Sequence, residues 1–182
     1  MIEAERARLE ESLAQIREAP ADVGTVELIV RRPAVDQREV LAEAWLDVST
    51  GLEGDGWTTR TPTGMTGPDP EAQLTVVNAR AASAIAGDRE RWPLAGDQLF
   101  VDLDISQTNL PAGTRLQIGT AVVELSAKPH TGCKKYAARF GLDALAFVST
   151  DTGRELRLRG ANCKVVVSGT VRTGDVIRKL PA

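Results

Sequence analysis

From Gly24 to Lys179 the chain is cut into short β-type runs, mostly joined by glycine-containing turns, and this punctuation limits the fold more than any other feature. Val26, Leu28 and Val30 alternate with polar neighbours, and a second run spans Val40 to Val48. Others follow at Leu74 to Val77, Leu99 to Leu103, Arg115 to Leu125, Val165 to Val167 and Val176 to Lys179. So many short, non-local strands favour a barrel or rolled sheet. Helical signals interrupt them. Asn78 is an N-cap for a helix from Ala79 to Ala86 that ends at Gly87. Ile2 to Glu18 is rich in Ala, Glu, Arg and Leu, with Ile2, Leu9, Leu13 and Ile16 near one face and Pro20 closing it. The predicted class is mainly β with a few helices (α+β). Residues 1–20 form an N-terminal helical extension that packs on the domain or on a second subunit, and residues 21–182 form one domain.

At 182 residues and 42% hydrophobic, the chain can bury one sizeable core. A net charge of −3 gives no general attraction to nucleic acid or to an anionic membrane, so neither is an expected partner. Residues 1–19 have no signal-peptide-like apolar core and no run is long enough to span a bilayer, which predicts a cytoplasmic protein. The spacing of Cys133 and Cys163 demands no disulfide, and one histidine with two cysteines falls short of a four-ligand zinc site. Gly51, Gly54 and Gly56 lack the lysine and helix of a nucleotide-binding loop. Residues 58–70, crowded with Thr, Gly and Pro, read as an exposed connector that can also act as a lid.

The stretch Lys128-Pro129-His130-Thr131-Gly132-Cys133-Lys134-Lys135 gathers the only histidine, one of the two cysteines and three lysines where a strand ends. Leu116 to Leu125 reads as a hairpin and Lys134 to Phe140 as a short helix stopped by Gly141, so Cys133 falls at a helix start. Unpaired N–H groups there, with Lys128, Lys134, Lys135 and Arg139, favour a thiolate, the form that attacks or binds metal. The competing reading is a buried cysteine acting as a small inert hydrophobe. His130 can serve as the base for Cys133 if Gly132 supplies a turn between them. Arg60 and Arg159 are either solvated ion-pair residues or forks for a cofactor phosphate, and Gly160 beside Arg159 permits close backbone approach. Asp55 reads as a turn residue able to hold loops together by hydrogen bonds.

Several pieces together resemble the MOSC domains, named for the C-terminal domain of molybdenum cofactor sulfurases. They are Gly51-Leu52-Glu53-Gly54-Asp55, the hairpin Gly113-Thr114-Arg115-Leu116-Gln117-Ile118-Gly119, the loop Pro129-His130-Thr131-Gly132-Cys133-Lys134, Arg159-Gly160, and the closing Gly169-Thr170-Val171-Arg172-Thr173-Gly174-Asp175. Their order spans about Gly24 to Leu180. The chain departs from the family where Gly96-Asp97-Gln98-Leu99 replaces Gly-Glu-Asn-Leu, and where a histidine-rich run after Gly54-Asp55 is missing.

The resemblance implies a MOSC-type β-barrel-like domain with an N-terminal helix, handling sulfur or a molybdenum-pterin cofactor through Cys133. In one form Cys133 carries a persulfide for delivery, as a sulfur carrier or transferase. In the other it ligates molybdenum in a cofactor-dependent oxidoreductase, with Lys134, Arg159, Arg60, Asp55 and Gln98 as cofactor-binding candidates and His130 beside Cys133 as the second catalytic candidate. Pyridoxal phosphate is not expected within this chain alone. The implied partners are a small-molecule or cofactor ligand and a sulfur-donor or electron-transfer protein. The alternative is a non-catalytic ligand-binding module of the same fold.

Overall fold

The computed structural model describes residues 2–181; Met1 and Ala182 lie outside the described residues, and so does the side chain of Ile2, the first member of the N-terminal apolar stripe. Two helices, α1 (Ile2–Glu11) and α2 (Leu13–Arg17), take the place of the single helix read from the sequence. The break falls at Ser12, whose hydroxyl donates to the Leu9 carbonyl, a bond by which a serine competes with the helical ladder. Strands β1 (Val23–Arg31), β2 (Glu39–Leu41), β3 (Glu43–Asp47), β4 (Gly51–Leu52) and β5 (Leu74–Asn78) lead to α3 (Ala79–Ala86) and β6 (Leu99–Asp102). The hairpin β7 (Arg115–Ile118) and β8 (Ala121–Leu125) precedes α4 (Lys134–Phe140), α5 (Leu142–Ser149) and α6 (Asp151–Glu155). Strands β9 (Ala161–Val167), β10 (Gly169–Arg172) and β11 (Val176–Lys179) follow.

Seven strands close a barrel in the order β1, β6, β5, β9, β8, β7, β11, with β11 returning to β1 through Val23↔Arg178 and Thr25↔Val176. Strand β2 extends the sheet beyond β1, and β10, β3 and β4 form a separate three-stranded sheet. The run read as one strand from Val40 to Val48 is therefore two strands in different sheets. The chain leaves the barrel sheet at Ala42, whose carbonyl accepts from Thr173 N at 3.0 Å, and both Val40 and Val48 are exposed.

Barrel closure buries one face of nearly every strand: Leu46, Leu74, Val76, Leu99, Val101, Leu116, Val123 and Ile177 share one core. The pairing of β1 with β6 shifts register between Val26 and Leu28, so Val26 and Ile29 face that core while Leu28 and Val30 point outward. Those outward residues are covered in turn by Ala79, Ala82, Ala86 and Trp92. Asn78 caps α3 as its sequence predicts, its Oδ1 accepting from Arg80 N at 2.8 Å and Ala81 N at 3.3 Å. This helix carries the crossover between the parallel strands β5 and β6. Its other face, Ala81 and Ile85, meets a helical cluster with Leu9, Ile16, Tyr136, Phe147 and Leu158. The N-terminal stripe is thus used inside the molecule, through Leu9 and Ile16.

Candidate functional site

Cys133 is the N-cap residue of α4, in an extended conformation (φ −138°, ψ 175°), and its sulfur makes no capping hydrogen bond. It is free and exposed, whereas Cys163 is free and buried in β9. Two of the cations expected around the Cys133 sulfur are committed elsewhere. Lys128 Nζ binds Asp69 Oδ2, and Arg139 donates to Asp36 Oδ1 and to the Leu94 carbonyl, both at 2.9 Å. Lys134 and Lys135 remain, both exposed.

His130 turns inward, away from the exposed thiol, and no hydrogen bond joins it to Cys133 among the described residues. Its Nδ1 stands 3.5 Å from Oδ1 of Asp97, whose other oxygen accepts from Arg159 Nη1 at 2.7 Å. Arg159 also donates to the Ala95 carbonyl at 3.0 Å and lies over the Tyr136 ring, 4.7 Å from its centroid. Burial first, and then the Arg159 charge, push the His130 pKa down to about 4. The imidazole is therefore neutral at pH 7. At this separation the two atoms make no hydrogen bond, and both Nδ1 of His130 and Oδ1 of Asp97 are buried without a partner. Gly160 makes this packing feasible. Its φ is +98°, and a Cβ there would lie 2.8 Å from the Val76 carbonyl and 3.1 Å from Asp97 Oδ1.

The guanidinium groups of Arg32, Arg38 and Arg139 converge on Gly96, and Arg60, beside Gly56, is a charge neighbour of Arg32 and Arg38. Arg32 Nη1 donates to the Gly96 carbonyl at 2.7 Å; a Cβ on Gly96 would stand 3.7 Å from Arg38 Nη2 and 4.0 Å from Arg139 Nη1. Arg60 Nη2 lies 3.6 Å from the corresponding position on Gly56. Arg32 pairs with Asp55 and Arg139 with Asp36. Arg38 reaches only the carbonyls of Pro93 and Gln37, and among the described residues neither Arg38 nor Arg60 has a carboxylate in ion-pair contact. Partial desolvation, then the neighbouring arginines, pull both below the ordinary arginine pKa, with Arg38 half-buried and Arg60 exposed. Such a group carries uncompensated positive charge.

Of the remaining sequence candidates, Asp55 does hold loops together. Its carboxylate accepts from Arg32 N, Nε and Nη2 and from Trp57 N, and its side chain is fully enclosed. Gln98 is buried, its Oε1 taken by Thr75 N and Oγ1, while its Nε2 has no partner. The structure thus gathers Asp97, His130 and Arg159 in one group and Arg32, Arg38, Arg60 and Arg139 in another, with Asp55 supporting the second. The sequence reading missed Arg32, Arg38 and the pairing role of Asp97. The one available signal was the basic run Arg31-Arg32 followed by Arg38 just after the first strand.

The MOSC domain family matches residues 68–178, a span that takes in Asp97, His130, Cys133 and Arg159. The chain belongs to the MOSC domain family. This family is associated with molybdenum-cofactor-binding and sulfur-related proteins. In this MOSC domain, Arg32, Arg38, Asp55 and Arg60 lie ahead of the matched span. Its fold is similar to that of the YuaD protein from Bacillus subtilis (TM-score 0.65, 17% identity, covering 85% of this chain and 94% of that one). YiiM from Escherichia coli is also similar (TM-score 0.57, 19% identity, 87% and 70% coverage). So is YiiM from Geobacillus stearothermophilus (TM-score 0.53, 13% identity, 88% and 74% coverage). No curated protein matches the chain.

Proposed function

We propose that this MOSC domain binds a molybdenum-pterin cofactor, with the Cys133 thiolate as the ligand to molybdenum and the arginines around Gly96 holding the cofactor's phosphate. The observation that carries the reading is the pair Arg38 and Arg60, two cations without carboxylates beside Arg32 and Arg139. Two uncompensated charges suit a phosphate dianion, and guanidinium forks match its oxygens. Arg139 sits six residues along α4 from Cys133, about 9 Å at the helical rise, so one elongated ligand can reach from the sulfur to the cluster. The donor set fits: a soft thiolate at one end, hard-anion donors at the other, and the unpartnered Gln98 Nε2 as a further donor nearby in sequence.

When bound, the cofactor supplies redox chemistry at molybdenum, with electrons from a separate protein. The chain's own residues have other tasks. Asp55 fixes Arg32 against the Gly96 carbonyl, and Arg159 holds Asp97 beside a neutral His130, which offers a bound substrate a hydrogen-bonding imidazole. Two free thiols, one exposed and one buried, suit a reducing, cytoplasmic setting.

The second form of the reading, a persulfide on Cys133, is favoured by the exposure of that thiol, which an acceptor protein can reach. Metal and pterin analysis of protein purified from a cofactor-producing host separates the two. Molybdenum and pterin retained by the parent, lost in Cys133→Ser and reduced in Arg38→Ala/Arg60→Ala, support cofactor binding. Cyanide-labile sulfur without molybdenum replaces it with sulfur transfer, and neither signal from a folded chain leaves the non-catalytic module.

A further inference from the structure

A cavity of about 460 Å³ opens on the His130 side of the Cys133 loop, between that loop, the ends of α5 and α6, and the start of β9. Its lining includes Lys128, Arg154, Arg157 and Arg159 and not one aspartate or glutamate. Three of these cations have a carboxylate in contact, Lys128 with Asp69, Arg159 with Asp97 and, at the solvent-exposed rim, Arg154 with Asp151. Arg157 is different. Its hydrogen bonds leave through Nη1 alone, to the carbonyls of Leu110 at 2.7 Å and Ile105 at 3.2 Å, and no carboxylate pairs with it among the described residues. Its Nε and Nη2 therefore lack a protein acceptor there. The residue is also held at φ +48°, a left-handed conformation that a side chain other than glycine rarely adopts and that concentrates at functional sites.

We propose that this cavity binds a small organic acid through its carboxylate, with Arg157 as the anchor and the imidazole of His130 beside the bound molecule. Arg157 is the one lining cation with no carboxylate in ion-pair contact among the described residues, so the site offers a single guanidinium to a single anionic group. The planar edge of a guanidinium matches a carboxylate with two parallel hydrogen bonds. Pro129, Val148 and Ala161 supply apolar wall for the body of the acid, and the volume falls in the range of small-molecule sites. The inference goes beyond the cofactor reading and does not depend on it, because Arg157 and the Gly96 cluster are separate groups.

The test uses the full chain without added cofactor, and its only histidine as reporter. Matched pairs of acid and amide, acetate with acetamide and benzoate with benzamide, are titrated while the His130 ring resonances are followed by NMR. The expected result is saturable movement with at least one acid, about tenfold weaker or absent with its amide. That selectivity is lost in Arg157→Gln and kept in Arg157→Lys. The proposal is overturned if amides bind as well as acids, if neither acid moves the histidine at millimolar concentration, or if Arg157→Gln keeps the preference. Tighter binding of phenylphosphonate than of benzoate overturns the carboxylate assignment. Because the acid–amide comparison is made on the parent chain, the result stands even if Arg157→Gln fails to fold.

Discussion

Asp97 Oδ1 lies 3.5 Å from His130 Nδ1 inside the molecule, while Cys133, three residues on, stays at the surface. The two residues that the sequence sets side by side as a nucleophile and its base are thereby given different neighbours.

The first prediction concerns the titration of that histidine. Its folded pKa is about 4 against an ordinary value of 6.5, so between these pH values the unfolded chain binds the extra proton. Stability from this group is full above about pH 6.5 and is lost as pH falls toward 4, by up to about 3 kcal/mol. Denaturant unfolding across pH 4–7 should show this slope in the parent and a flatter one in His130→Gln. A histidine NMR signal that titrates near 6.5 in the folded protein would contradict it.

Removing one partner of the enclosed ion pair should be costly. Asp97→Asn leaves the Arg159 guanidinium buried without its countercharge, and we expect a loss of about 3–5 kcal/mol by denaturant unfolding. A loss below about 1 kcal/mol would mean that water or another carboxylate reaches Arg159.

The two thiols should differ sharply. Cys133 is exposed and should be alkylated in the native state; Cys163 is enclosed, with burial pushing its pKa up to about 12, and should react only on unfolding. Mass spectrometry of a partially alkylated sample decides it. Cys133→Ser should leave the melting temperature unchanged, since the sulfur makes no capping bond.

The connector between Gly56 and Gln73 is pinned at its far end. Asp69 binds Lys128 and caps Glu71 N, while its carbonyl accepts from Trp57 Nε1 at 3.0 Å. Asp69→Ala should raise the rate of limited proteolysis within residues 58–67 several-fold, with a stability loss of no more than about 2 kcal/mol, because Lys128 is half exposed. Unchanged cleavage would show that Trp57 alone holds the segment.

Much of the fold was legible from local chemistry. The Asn78 cap, the Arg115 to Leu125 hairpin and Cys133 at a helix start are fixed by residues a few positions apart, and the structure has each in place. What escaped depended on distant partners. Val40 to Val48 reads as one strand because nothing local announces that Ala42 will be claimed by Thr173. Helices α5 and α6 carry no strong amphipathic signal, since one packs among other helices and the other is a single turn. Spacing alone makes the cations near Cys133 its electrostatic surroundings, but Asp69 and Asp36, distant in the chain, pair with Lys128 and Arg139. Arg32 and Arg38 come from the one connector between β1 and β2, Arg60 from the segment after Trp57 and Arg139 from α4, a convergence of two loops and a helix that no spacing rule contains.

The pairing of β1 with β11 sets a condition on biosynthesis. Until Val176 to Lys179 has been made, the Val23 to Thr25 edge of β1 has no partner on that side, and a nascent chain carries an open strand edge while all the other strands of the barrel are already synthesised. A ribosome that stalls after β9 releases a chain with most of its apolar residues and no means of sealing them. Sealing the barrel therefore waits on Val176 to Lys179, and any chain without them keeps an unpaired edge on β1.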